Sequence, residues 1–201
     1  MSPLAERLYT AEEYLALERA ANQKSELVNG RIYAMTGGTV QHTRIVRNLI
    51  LSIGGRLSGG PCEVFSNDLR VKVSHTGMYT YPDVVALCTT PKLEDAHLDT
   101  LLNPAVIIEV LSPSTQAYDR GEKFAHYRTI ESLREYILIA QDHARIEQYV
   151  RHGEQWVLNE IKDPAGMLQI EALGCEVHVS EIYDRVEFAP GVPIRWPRST
   201  Q

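Results

Sequence analysis

The chain has 201 residues, 44% of them hydrophobic and 23% charged, enough for one globular domain with a sizeable core. A net charge of −6 excludes an indiscriminately basic nucleic-acid coat, although twenty Lys and Arg residues leave room for a local basic groove. Apolar runs such as "PAVII" and "YILIA" are too short to cross a bilayer, and "MSPLAERLYTAEEYLALERA" lacks the pattern of a signal peptide. The cytosol is therefore the expected compartment, and no membrane partner is expected.

In chain order, Thr10 followed by Glu13 forms a capping box and predicts a helix over "AEEYLALERA". "SELVNGRIYAMTGG" predicts a hairpin about an Asn29-Gly30 turn, ending at Gly37-Gly38. In "VQHTRIVRNLILSIGGRL", His42, Ile45, Val46, Leu49, Ile53 and Leu57 recur at helical spacing, and Gly59-Gly60 stops the helix. Strands follow at "CEVFS", "LRVKVS", "YTYPDVVALC" and "PAVIIEVLS", the last two with the near-continuous apolar runs of strands buried on both faces. A helix "RGEKFAHYRTIES", a strand "EYILIA" and a hairpin over 144–161 about His152-Gly153 come next. A strand near "MLQIEAL", a short helix opened by Ser180 and an extended Pro-rich end complete the chain.

The expected fold is a single domain over 1–201 of the α/β class, built on one mixed sheet. Its core of about 10–140 has the order α-β-β-β-α-β, with hairpin additions at both ends and a C-terminal extension over about 144–190. Cys62, Cys88 and Cys175 are widely spaced, odd in number and lack a CxxC. All three are expected to be small buried hydrophobes, outside any disulfide framework or zinc cage.

Two of the apolar strands contain an acid, Asp83 and Glu109. Burying an unpaired carboxylate costs several kcal/mol or forces it to keep a proton, so such acids need a cation, hydrogen bonds or a metal. A hard divalent ion suits two converging carboxylates, since Mg²⁺ prefers one or two of them with waters and phosphate oxygens. Lys123, Tyr127 and Ile130 share one face of the following helix, which aims the lysine at the sheet. There it would balance the acids and position or deprotonate an attacking water.

"YPD" (81–83), the acid of "IIEV" (107–110) and the lysine together resemble the PD-(D/E)XK nuclease superfamily. The usual lysine place, two residues after the second acid, holds Leu111, and the lysine has moved to position 123. The chain is similar to one bacterial branch, a restriction-endonuclease-like family, at "ELVNGRIYAM", "QH", "YPDVVALC", "IIEVLSPST" and "DRGEKFAHYR", in that order. That resemblance implies a restriction-endonuclease-like fold and a metal-dependent endonuclease acting on DNA. It implies Mg²⁺, with Mn²⁺ as a substitute, at Asp83 and Glu109, with the Val110 carbonyl as a further ligand. It makes Lys123 the catalytic lysine and Glu26 and His42 accessory site residues.

Blander readings stand beside these. Asp83 would cap loop amides, Glu109 would pair with Arg120 or Lys123, and Lys123 would sit on a solvated helix face. His42 would be a core histidine, and Glu26 a partner of Lys24. "SPST" reads as a turn and helix cap beside the site. Signatures of other chemistries are missing: there is no GxSxG, Walker A loop, GxGxxG or HExxH. A double-strand cut would need two sites, which makes a homodimer conceivable. The rival function is a nuclease fold kept as a module that binds nucleic acid or protein with little turnover.

Overall fold

The computed structural model describes residues 7–188, so the Pro-rich end lies outside the described residues. Helix α1 (Ala11–Ala20) opens on Thr10 with both arms of the capping box formed. Strands β1 (Ser25–Val28) and β2 (Arg31–Ala34) form the expected hairpin. Asn29 and Gly30 both adopt positive φ (51° and 78°), the turn geometry whose twist matches that of the paired strands. Helix α2 (Val40–Leu57) buries Ile45, Leu49, Ile53 and Leu57 as one stripe.

The middle strands depart from a single sheet. "YTYPDVVALC" is not one strand: proline cannot donate to a ladder, and the chain breaks there. β5 (Met78–Thr80) joins β1, β2, β4 (Arg70–Val73) and β7 (Thr100–Leu101) in a five-stranded sheet. β6 (Val84–Leu87) joins a six-stranded sheet ordered β11-β10-β9-β8-β6-β3. That sheet contains β3 (Glu63–Ser66), β8 (Val106–Leu111), β9 (Glu135–Ala140), β10 (Ile146–His152) and β11 (Gln155–Ile161). β8 and β9 run parallel through a helical crossover, and the other pairs are antiparallel. The α-β-β-β-α-β core is thus present in this sheet as α2, β3, β6, β8, crossover helix and β9. The hairpin over 144–161 turns at Gly153-Glu154, one residue later than expected, since His152 faces Gln155.

Alternation along β8 assigns its side chains to two layers. Val106, Ile108 and Val110 pack with α2 and the C-terminal elements, while Ile107 and Leu111 pack with the crossover helix and the second sheet. Both faces are covered, which is why the strand is apolar throughout. The C-terminal elements are β12 (Met167–Ile170) and β13 (Cys175–His178), the latter unforeseen, and a short helix, Val179–Ile182, in which Ser180 is internal rather than a cap.

The expectation for the cysteines is corrected. Cys62 and Cys88 form a disulfide, and Cys175 is free. Because Glu63 pairs with Leu87 in β3–β6, the residues just outside that pair face each other across neighbouring strands. Spacing along the chain carries no trace of this. No described helix is long and apolar enough to cross a membrane.

Candidate active site

Pro82 and Asp83 lie where the chain passes from one sheet to the other. The register Val84 to Ile108 then sets Asp83 across from Glu109. Asp83 Oδ2 accepts hydrogen bonds from the Val110 amide (2.8 Å) and lies 3.0 Å from His42 Nε2. The Asp83 amide points at Glu109 Oε2 over 3.4 Å. Glu109 shares its face of β8 with Ile107 and Leu111, so it projects into the layer occupied by the crossover helix. There its Oε1 accepts from Lys123 Nζ and from the Tyr127 hydroxyl, each at 2.9 Å.

The crossover helix differs from expectation in a way that shapes the site. It begins at Gln116, widens into a π turn over Asp119–Lys123, and resumes as an α-helix over Phe124–Tyr127. Ser112 closes the turn before it, with Oγ accepting the Thr115 amide. Lys123 is buried, and so is Asp119, 3.9 Å from its ammonium. The reading of this segment as a solvated face is therefore wrong for both. Arg120 turns away and pairs with Glu147 rather than Glu109.

Glu26 is brought in from the second sheet. Leu27 pairs with Tyr79, which sets Glu26 opposite Thr80, whose hydroxyl donates to Glu26 Oε1. Lys123 Nζ lies 3.3 Å from the same oxygen. Lys24, the alternative partner, is bound to Asp68 and the Asn67 carbonyl instead. His42 reaches Asp83 from the first turn of α2. Gly38 makes room for it, because a Cβ there would lie 2.8 Å from His42 Nδ1. All six expected site residues, Val110 included, line one cleft of about 960 Å³, together with Ser112, Ser114, Thr115, Tyr118 and Asp119.

The electrostatics follow from burial and proximity. Burial is the main influence on Glu109 and raises its pKa, with Asp83 and Asp119 adding to the effect and Lys123 opposing it. Burial acts to lower the Lys123 pKa. The charges of Glu109, Glu26 and Asp119 outweigh it and hold the lysine well above its ordinary pKa, so it is an ammonium. Asp119 is raised by burial against the pull of the same lysine. For His42, burial acts downward, but the hydrogen bond and charge of Asp83 prevail and raise it.

Sequence reasoning missed Asp119, Thr80 and Tyr118. Asp119 had a signal, its position four residues before the lysine. Thr80 had none, because its role comes from register between β1 and β5. The Tyr118 hydroxyl is buried without a hydrogen-bond partner among the described residues, facing a region of charge from Glu26, Lys123, Glu122 and Asp119.

The site is thus an acid pair, Glu109 buried and Asp83 part-exposed, beside a buried lysine on a two-sheet α/β frame. The family model described as "Putative restriction endonuclease" (Uma2) matches residues 11–180, and the chain belongs to that family. An uncharacterised protein of Synechocystis sp. is 37% identical over 156 residues, 77% of this chain and 88% of that protein. A second uncharacterised Synechocystis protein is 35% identical over 179 residues, 88% of this chain and 92% of its own length. Among solved structures, a "putative nuclease" of the DUF820 family from Anabaena variabilis superposes with a TM-score of 0.71 at 18% identity. It covers 87% of this chain and 97% of its own, and the likeness bears on the fold.

Proposed function

We propose that the chain is a divalent-metal-dependent endonuclease that hydrolyses DNA phosphodiester bonds. The observation that supports this best is the juxtaposition of Asp83 and Glu109 across β6 and β8, with the Lys123 ammonium 2.9 Å from Glu109, on the floor of an open cleft. Among the described residues no group of three or more His, Cys, Asp or Glu forms a ready-made metal cage. The donor set is instead two carboxylates and the Val110 carbonyl, all hard oxygens, with Asp83 Oδ1 accepting no hydrogen bond from the described residues. This fits Mg²⁺ or Mn²⁺, which keep several waters and take substrate oxygens rather than filling a protein cage. Such an ion supplies polarisation of the phosphoryl group and a bound water of lowered pKa.

The chain's own residues do the rest. Tyr127 and Lys123 hold Glu109 by one oxygen, leaving Oε2 toward Asp83 and the cleft. The Val110 amide and His42 fix the orientation of Asp83. Lys123, held as an ammonium, orients the attacking water and offsets charge developing on the phosphate; it does not take the proton. Glu26 and Asp119 set the position and charge state of that lysine. The rival, a fold that binds nucleic acid without turnover, draws support from the saturation of Lys123 by three carboxylates.

Calorimetric titration with Mn²⁺ and a cleavage assay test the reading. Asp83→Asn should abolish metal binding and cleavage while stability rises or barely changes, since one crowded charge is removed. Unchanged Mn²⁺ affinity in the variant would sink the metal assignment. Metal binding by the parent chain with no cleavage of any DNA would favour the rival.

A further inference from the structure

The cleft lining contains five carboxylates, Glu26, Asp83, Glu109, Asp119 and Glu122. Against them stand Lys24 and Lys123, and no arginine is among the described lining residues. Lys123 is held by three of the acids, and Lys24 is held by Asp68 and Asn67. A wall of this kind cannot grip a duplex through its phosphates, the contact on which duplex affinity mainly rests. Binding has to draw on something other than basic side chains.

One cleft residue offers it. Tyr33 on β2 pairs directly with Glu26 on β1. Residues opposite each other in an antiparallel pair project from the same face with Cβ atoms about 5 Å apart. The ring of Tyr33 therefore stands beside the carboxylate that reaches Lys123, at the lip of the cleft, and is 51% exposed. Among the described residues it makes none of the hydrogen bonds or ring contacts found for the buried tyrosines. An exposed ring beside a phosphoester site is the platform on which unpaired bases stack, a contact that tolerates any base and substitutes for phosphate contacts. A paired base has both faces covered by its neighbours and cannot use it.

Resting on the nuclease reading, we infer that Tyr33 is a base-stacking subsite and that the strand enters the cleft unpaired, so the substrate is single-stranded nucleic acid. The ring would set one base next to Glu26 and thereby place the adjoining phosphate over Asp83 and Glu109.

The test is fluorescence anisotropy with a labelled single-stranded dT12 and its duplex with dA12, in Ca²⁺ to retain the complex. The parent should bind dT12 at least tenfold more tightly than the duplex. Tyr33→Ala should lose about tenfold on dT12 while Tyr33→Trp keeps the affinity, the scale of one base–aromatic stack. A series of dT12 oligomers with a single abasic position separates stacking from a general loss of fit. The parent should lose about tenfold at one position and Tyr33→Ala should lose nothing there. Equal affinity for duplex and single strand, an unaffected Tyr33→Ala, or identical abasic profiles would each overturn the inference. Cleavage of the same oligomers in Mg²⁺ is scored separately. Ring-dependent binding without cutting would refute the nuclease reading and support the subsite. Duplex cutting at equal rates by the parent and Tyr33→Ala would do the reverse.

Discussion

Removing the Lys123 ammonium tests the electrostatic account of the site most directly. Nζ lies 2.9 Å from Glu109, 3.3 Å from Glu26 and 3.9 Å from Asp119, and the lysine is buried with two of those acids. Lys123→Ala leaves the carboxylates facing one another without a counterion, and breaking a buried pair in this way costs about 3–5 kcal/mol. Protonation of Glu109 relieves part of the repulsion, so about 3 kcal/mol is expected near neutral pH. For a chain of this length that is a fall in midpoint of roughly 6–12 °C. The pH dependence carries the sign. Burial already raises Glu109, and loss of the lysine raises it further. An acid whose folded pKa lies above its unfolded value, about 4.3 for glutamate, loses stability as pH climbs from the lower value to the higher. The parent loses it too, up to a Glu109 pKa of about 8, so the deficit of the variant should be level from pH 5 to about pH 8 and widen from there toward pH 10. Thermal melts in EDTA across that range measure it, with Lys123→Met as a control for lost volume. Metal affinity should be largely kept while cleavage falls about 10²-fold or more, and Lys123→Arg should not rescue it, since guanidinium is shaped differently. A variant as stable as the parent, or a deficit independent of pH, would refute the counterion role.

Three other outcomes follow from the same geometry. Asp99 accepts from Arg19 and from the almost wholly buried Arg70, and Arg19 above all holds its carboxyl well below the usual range. A depressed acid stabilises above its unfolded pKa and loses that contribution as pH falls through the folded one. Asp99→Asn should thus cost about 2 kcal/mol in urea melts at pH 7, discounted for exposure, and progressively less below pH 4. Gly38→Ala should push the His42 ring off Asp83, so the histidine pKa, followed by NMR, should drop from its raised value with little loss of stability. The Cys62–Cys88 bridge closes 26 residues of sequence separation, which chain entropy values at about 3 kcal/mol; Cys62→Ser or reduction should lower the midpoint, and native protein should show one reactive thiol.

Local rules written in the chain were enough for much of the fold. The Thr10 capping box, the Asn29-Gly30 turn, the stripe of α2 and the doubly buried β8 all depend on neighbours within a few residues, and each formed as expected. Glu109 was legible because a carboxylate inside an apolar strand contradicts its surroundings, and the lysine because it shares a helix face with Tyr127; Asp83, read in the same way as Glu109, sits instead in the part-exposed break before β6. Register between distant strands decided the remainder. It paired Cys62 with Cys88 and set Thr80 on Glu26. The break at Pro82 sent the two halves of one apparent strand into different sheets, and the π turn carried Asp119 inward with Lys123. The disulfide and the Thr80–Glu26 bond join residues tens of positions apart, and periodicity within a segment says which face a side chain takes but not what waits opposite it.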